Sequence, residues 1–261
     1  MKSKLPINLA IFSTLLFNTY ANAELENNAC IDRVSESTVN SVYNHESCSA
    51  GVFANSHYSA ISNFNILDAT TVSFDFVTPN DLELGWVMVW SDTTEVDFSI
   101  KPTFKAPLTS NKGHYILNSD QINFQQGIYT IAITAGKDER TVAATRAMIF
   151  GQPAQSGGSA IAVTRRALTG ITAVFNSPPN VIASENLTWL RVFDGSLEGS
   201  STQGTQPILE MKRPPADSSG IVSINFPAGT LKNKRTYTLI FNPGRTFGAI
   251  SAAHTFKYVL Q

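Results

Sequence analysis

The chain has 261 residues, is 43% hydrophobic and only 15% charged, and carries a formal net charge of −1. That composition excludes a disordered polyampholyte, and two cysteines exclude a disulfide-dense scaffold. The near-neutral net charge hides an asymmetry between the two halves, and no nucleic-acid partner is expected because the N-terminal segment reads as an export signal.

Residues 1–23 read as a signal peptide. Lys2 and Lys4 supply a short positive region, Leu9 to Phe17 is mostly apolar, and Ala21-Asn22-Ala23 is a small-residue cleavage site. The apolar run is too short to span a bilayer, and no later run approaches the roughly 20 residues required. The mature chain is expected to begin at Glu24, to be secreted to the extracellular space or held in a periplasm, and not to insert in a membrane. Residues 24–49 hold the only cysteines, Cys30 and Cys48. Export favours a structural disulfide between them over a zinc pair, worth about 3 kcal/mol in the chain-entropy model. Ile31 to Tyr43 carries the spacing of one short helix.

Residues 50–150 have mainly period-two patterning. Thr70 to Phe76 alternates apolar and polar and predicts a half-buried strand. Leu84 to Trp90 predicts a central strand, Phe98 and Ile100 a further one, and Gly127 to Ile133 another before a Gly136-Lys137-Asp138 turn. Ala143 to Phe150 closes the domain. Residues 151–159, small and polar with Pro and Gly, read as a linker. Residues 160–261 repeat the plan, with strands expected at Ala160–Val163, Ile171–Phe175, Leu187–Phe193, Ile221–Phe226, Tyr237–Phe241 and Thr255–Leu260. The stretch Glu198 to Gln206 reads as a loop.

The second half restates the first. Phe76-Val77-Thr78-Pro79 answers to Phe175-Asn176-Ser177-Pro178. Leu84 to Trp90 answers to Leu187 to Phe193. Ile122-Asn123-Phe124 answers to Ile224-Asn225-Phe226, and Tyr129-Thr130-Ile131 to Tyr237-Thr238-Leu239. Four matches in one order predict a duplicated domain of roughly 100 residues, the size of one β-sandwich. The expected class is all-β, with two tandem sandwiches.

Trp86 and Trp189 on the third strand, with Tyr129 and Tyr237 opening the strand before last, resemble the arrangement of immunoglobulin-like sandwiches. The inter-sheet cysteine pair of antibody domains is absent, since positions 131 and 239 are Ile and Leu, so the resemblance is closer to fibronectin type III domains. It implies a core Trp between the sheets and a buried Tyr whose hydroxyl bonds to backbone. In architecture alone, a signal peptide followed by two such domains also resembles the RbmA-type scaffold proteins of biofilm matrices. That resemblance implies a homodimer and polysaccharide binding.

Catalytic signatures for serine hydrolysis, zinc proteolysis, phosphate cradling and dinucleotide binding are missing from the sequence. His45, His57, His114 and His254 are scattered, and Glu24 stands where a copper monooxygenase would need an N-terminal His. A non-enzymatic chain without cofactors is expected. Charge divides the two halves: residues 24–152 hold 7 Lys/Arg against 15 Asp/Glu, and residues 153–261 hold 10 against 5. Asp92, Glu95 and Asp97 form the acidic group after Trp90. Arg165, Arg166, Lys212, Arg213 and Arg235 form the basic group, whose guanidinium forks suit carboxylated or sulfated sugars or the acidic loop of another copy. Ordinary surface charge remains the competing reading of both groups.

These features predict an exported binding or scaffold protein for adhesion or biofilm-matrix assembly. Its expected partners are an acidic polysaccharide or cell-surface glycan and a second copy. The alternatives are a chaperone-assembled fimbrial subunit or tip adhesin, or an accessory carbohydrate-binding protein of a polysaccharide-degrading system.

Overall fold

The computed structural model describes residues 56–79, 83–183, 186–197, 206–212, 218–244 and 248–260. The expected helix over Ile31 to Tyr43, the Cys30–Cys48 bridge and most of the Glu198 to Gln206 loop lie outside those residues.

Among the described residues every regular element is a strand. In the first half these are β1 (Ser56–His57), β2 (Ala60–Ile66), β3 (Thr71–Val77), β4 (Trp86–Ser91), β5 (Phe104–Pro107), β6 (Lys112–Asn118), β7 (Ile128–Thr134) and β8 (Val142–Ile149). Then come β9 (Gln152–Gly158), β10 (Ala160–Ala167), β11 (Gly170–Asn176), β12 (Trp189–Asp194), β13 (Leu209–Lys212), β14 (Ser219–Asn225), β15 (Arg235–Asn242) and β16 (Ala252–Tyr258). The first sandwich packs the sheet β2-β3-β6 against β5-β4-β7-β8-β9, and the second packs β10-β11-β14 against β1-β16-β15-β12-β13. The chain is thus a tandem pair of immunoglobulin-like, fibronectin type III-like sandwiches.

Period-two alternation builds each core. Val72, Phe74, Val87, Val89, Leu117 and Ile131 meet between the sheets of the first sandwich; Ile171, Ala173, Leu190, Val192, Ile224 and Leu239 do so in the second. The two tyrosines behave as the resemblance implies. Tyr129 is fully buried and its hydroxyl donates to Phe124 O at 3.1 Å; Tyr237 is 1% exposed and its hydroxyl accepts from Lys232 N–H at 2.7 Å.

The two tryptophans do not. Trp86 and Trp189 are only half-buried and point away from the inter-sheet core, which Val87, Val89, Leu190 and Val192 fill. Both faces of Trp86–Trp90 are apolar, so alternation defines two faces without saying which is inner. The outer face of β4 carries a second small core instead. Met88, Trp90, Ala132 and Val142 lie under Val96 from the loop after β4 and Val181 from the second sandwich. That loop also corrects the strand expected at Phe98 and Ile100: both sit in a turn whose Ile100 carbonyl accepts from Trp90 Nε1 at 3.1 Å.

One repeat match is also corrected. β3 pairs β6 with Thr71 opposite Asn118, and β11 pairs β14 with Gly170 opposite Asn225, so the counterpart of β14 is β6 and not Ile122–Phe124. The shared triplet has a reason to look equivalent. Phe124 N–H and Phe226 N–H each donate to the turn that joins the first two strands of their sandwich, at Ala69 O and Thr169 O.

The presumed linker is a strand. β9 runs antiparallel along β8 from Ile149–Gln152 to Ala144–Gly158, and only Ser159 separates it from β10. The duplication extends here: Ser59-Ala60-Ile61 at the entry to β2 matches Ser159-Ala160-Ile161 at the entry to β10. β1, which precedes Ser59, pairs β16 of the second sandwich (Ser56 opposite His254), just as β9, which precedes Ser159, pairs β8 of the first. Each sandwich therefore receives on its last strand the segment that leads into the other. The arrangement is a reciprocal strand exchange with pseudo-two-fold symmetry, and it occurs within one chain.

Candidate functional site

The exchange holds the sandwiches against each other and leaves a cleft of about 440 Å³ between them. From the first sandwich come the loop after β4 (Thr93, Glu95, Asp97, Phe98 and Ser99) and Arg140 of the β7–β8 turn. From the second come Asn180 and Asn186 of the β11–β12 loop.

Local chemistry fixes that lining. Thr93 Oγ1 accepts from Glu95 N–H at 3.0 Å and donates to Glu95 O at 3.2 Å, closing the loop's first turn. Asp97 Oδ1 accepts from Ser99 N–H at 2.8 Å and from Ser99 Oγ at 2.6 Å, and these bonds hold its carboxyl below the usual range. Val96, between the two carboxylates, is buried against Trp90 and anchors the loop on the sheet. Opposite, Asn180 adopts φ 61° and its Nδ2 donates to Gln155 Oε1 of β9 at 3.2 Å. Asn186 Nδ2 donates to Ile182 O at 3.0 Å. The wall thus mixes two carboxylates, one guanidinium, two carboxamides, hydroxyls and one aromatic ring. Such a surface hydrogen-bonds a hydroxyl-rich ligand in both senses and stacks against an apolar ring face.

The acidic group named from the sequence is divided. Glu95 and Asp97 line the cleft. Asp92 stands at the loop's start in a left-handed conformation (φ 62°), with its N–H donating to Ile128 O at 2.7 Å.

The basic group does not form one face. Arg165 is exposed near the end of β10. Arg166 is half-buried with its guanidinium 5.6 Å from the centre of the Phe256 ring, and burial lowers its pKa. Arg235 is held by a two-pronged ion pair with Asp194. These three share the end of the second sandwich where Tyr258 hydroxyl donates to Ala167 O. Lys212 ends β13 opposite Trp189, which itself faces Asn242 at the other end of β15. Arg213, Cys30 and Cys48 lie outside the described residues.

Two features escaped the sequence reading. Arg191, 2% exposed, donates from Nε to Glu210 Oε1 and from Nη1 to Asn242 Oδ1, each at 2.7 Å. An arginine in the middle of the apolar run Trp189-Leu190-Arg191-Val192-Phe193 was the signal available. His254 is 4% exposed, its Nδ1 lies 2.7 Å from Ser56 Oγ, and burial first, then Arg166 and His57, push its pKa down to about 4. On β16 His254 alternates onto the same face as the core residues Ala252, Phe256 and Tyr258, and the cross-domain pairing of β1 brings Ser56 to it. Among the described residues no group of three His, Cys, Asp or Glu could hold a metal ion, and no helix is long and apolar enough to cross a membrane.

No protein-family model and no curated protein matches the chain. Three solved structures align over most of it. A two fibronectin type-III domain segment from chicken tenascin aligns at 11% identity over 76% of this chain and 99% of that one, with a TM-score of 0.25. The human OSCAR ligand-binding domain aligns at 8% identity over 77% and 98%, with a TM-score of 0.24. A biofilm associated protein BSP domain aligns at 14% identity over 73% of this chain and 28% of that one, with a TM-score of 0.22. The class of the protein rests on its own strand order and cores, not on these likenesses.

Proposed function

We propose that the chain is an exported, non-enzymatic binding and scaffold protein of an adhesive or biofilm matrix, with the inter-domain cleft as its glycan site. The observation that carries this reading is the cleft itself, walled by polar side chains from two sandwiches that strand exchange holds in register. A site shared by two such bodies is pre-organised, which lowers the ordering cost of binding. The signal peptide supports export. Glu95 and Asp97 against Arg140 leave the wall slightly acidic, which favours neutral or amino sugars there. Calorimetric titration of the mature protein with neutral, amino and acidic oligosaccharides tests the reading. Arg140→Ala and Glu95→Gln should each weaken the bound glycan about tenfold. Unchanged affinity in both would remove the cleft as the site.

A second reading has its own observation. Arg165, Lys234 and Lys257 are exposed at the far end of the second sandwich, where Asp194 already neutralises Arg235. An acidic polysaccharide bound there would weaken with rising salt and with Arg165→Glu, and would ignore Arg140→Ala.

A further inference from the structure

The turn joining β8 to β9 is a strained two-residue hairpin. Ile149 faces Gln152, and between them Phe150 and Gly151 both take positive φ, 48° and 76°. A turn with two such residues suits Asn-Gly; a phenylalanine in the first position is disfavoured by contact between its side chain and the backbone. Phe150 is also 65% exposed, so packing does not compensate. This turn is the only covalent path from the first sandwich to β9 and everything after it, and the surface on each side of it is already a complementary interface.

We propose that the hinge at Phe150–Gly151 opens, and that two copies of the chain exchange second sandwiches to form a closed dimer. With the hinge extended, β8 and β9 become one continuous strand. β9 of each copy then adds to β8 of the other, and β1 of each adds to β16 of the other. Every pairing seen within one chain is kept between two, the cleft is rebuilt twice, and the two strained hinges are released. Translational entropy opposes the dimer, so its population rises with protein concentration. The occupant of the interface is a second copy because the interface is self-complementary: the two halves already exchange equivalent segments about Ser59 and Ser159.

The test uses the full mature chain. Sedimentation compares wild type with Gly151→Val and Phe150→Gly. Valine cannot take φ +76° without strain, and its Cβ would meet Gln125 O at 3.1 Å, so the closed hairpin is penalised while an extended hinge is not. Gly151→Val should lower the dimer dissociation constant about tenfold or more, and Phe150→Gly should raise it. The arrangement is read separately. Isotope-labelled and unlabelled copies of a Ser59→Cys, Ser159→Cys chain are mixed, unfolded, refolded together at high concentration and oxidised. Heavy–light pairs across positions 59 and 159 are expected. A Gly151→Val chain that stays monomeric, or refolded copies that show only same-isotope pairs across those positions, would overturn the exchange. Glycan binding by the cleft is unaffected by either failure, because the closed monomer and the dimer present the same walls.

Discussion

Ser59 N–H donates to Ser159 O at 3.0 Å, and these two serines occupy the same place in the two repeats, each at the step into its sandwich's first strand. The two segments that cross sandwiches therefore meet each other as well as their acceptor strands. The crossing is tight. A Cβ on Gly158 would stand 1.6 Å from Ser59 O, and Ser59 Oγ is already committed to Ser251 O at 2.6 Å.

Gly158→Ala should accordingly destabilise the chain by about 3 kcal/mol, the upper range for overpacking, because the obstacle is backbone that is hydrogen-bonded on both sides. Gly220→Ala provides the control: its nearest neighbour would be a Phe175 ring atom at 3.8 Å, an ordinary contact. Urea unfolding of both variants checks the pair. Equal midpoints would mean that the crossing yields easily.

The tryptophans should matter less than their neighbours. Leu190→Ala removes a fully buried side chain from the inter-sheet core and should cost about 2–5 kcal/mol. Trp189→Ala removes a half-buried ring that also serves as a seat for Arg191, whose guanidinium lies 5.0 Å from its centroid. About 1–2 kcal/mol is expected, from partial apolar burial and the cation–ring contact. Thermal melting of the two variants side by side decides the order.

Arg191 and Glu210 should respond unequally. Arg191 is 3% exposed at its side chain and Glu210 37%. Removing the arginine takes away the buried guanidinium donor of Asn242 Oδ1 and empties the space of a side chain only 3% exposed, and should cost about 3 kcal/mol. Removing the glutamate leaves a guanidinium that still donates to Asn242, and its half-exposed carboxylate contributes about 1 kcal/mol or less. Arg191→Ala and Glu210→Ala, unfolded under the same conditions, separate the two.

The duplication, the two sandwiches and both corner tyrosines were legible in the sequence because each has a local cause: alternation, turn residues, or an aromatic with one polar end. What was not legible came from contacts between the halves. Which face of Trp86–Trp90 is inner depends on Val96 and Val181 arriving from elsewhere. Residues 151–159 have the composition of a free linker, yet pair over nearly their whole length because β8 offers an unoccupied edge. The acidic loop was singled out for its charge, but its place in a cleft comes from Asn180 and Asn186, residues with no sequence distinction of their own. Charge alone grouped Arg165, Arg166, Lys212 and Arg235, and the sandwich keeps the three arginines at one pole and puts Lys212 at the other because strand ends alternate between its two poles.

The strand exchange should be sensitive to acid through His254. Ser56 Oγ donates its only proton to Ile161 O at 3.1 Å, so it accepts from Nδ1 of a neutral imidazole, whose ring stacks on Phe256. Burial comes first, and Arg166 and His57 add to it, in placing the folded-state pKa at about 4 against the ordinary 6.5. Between those values the unfolded chain binds a proton that the folded chain excludes. The contribution of neutral His254 is therefore complete above pH 6.5, falls as pH drops through that value, and is exhausted near pH 4. At about 1.4 kcal/mol per unit, the loss across that window is about 3 kcal/mol. The carboxylates whose pKa values are lowered, Asp68, Asp75 and Asp97, act below their ordinary 3.8 and so outside this window. Urea midpoints should decline across it in wild type and flatten in His254→Gln, whatever the variant's stability at neutral pH. Because Ser56 faces His254 across the β1–β16 pairing, amide exchange of β1 should quicken before that of β15 as the pH falls. A decline equal in both proteins would show that the acid sensitivity comes from groups other than His254.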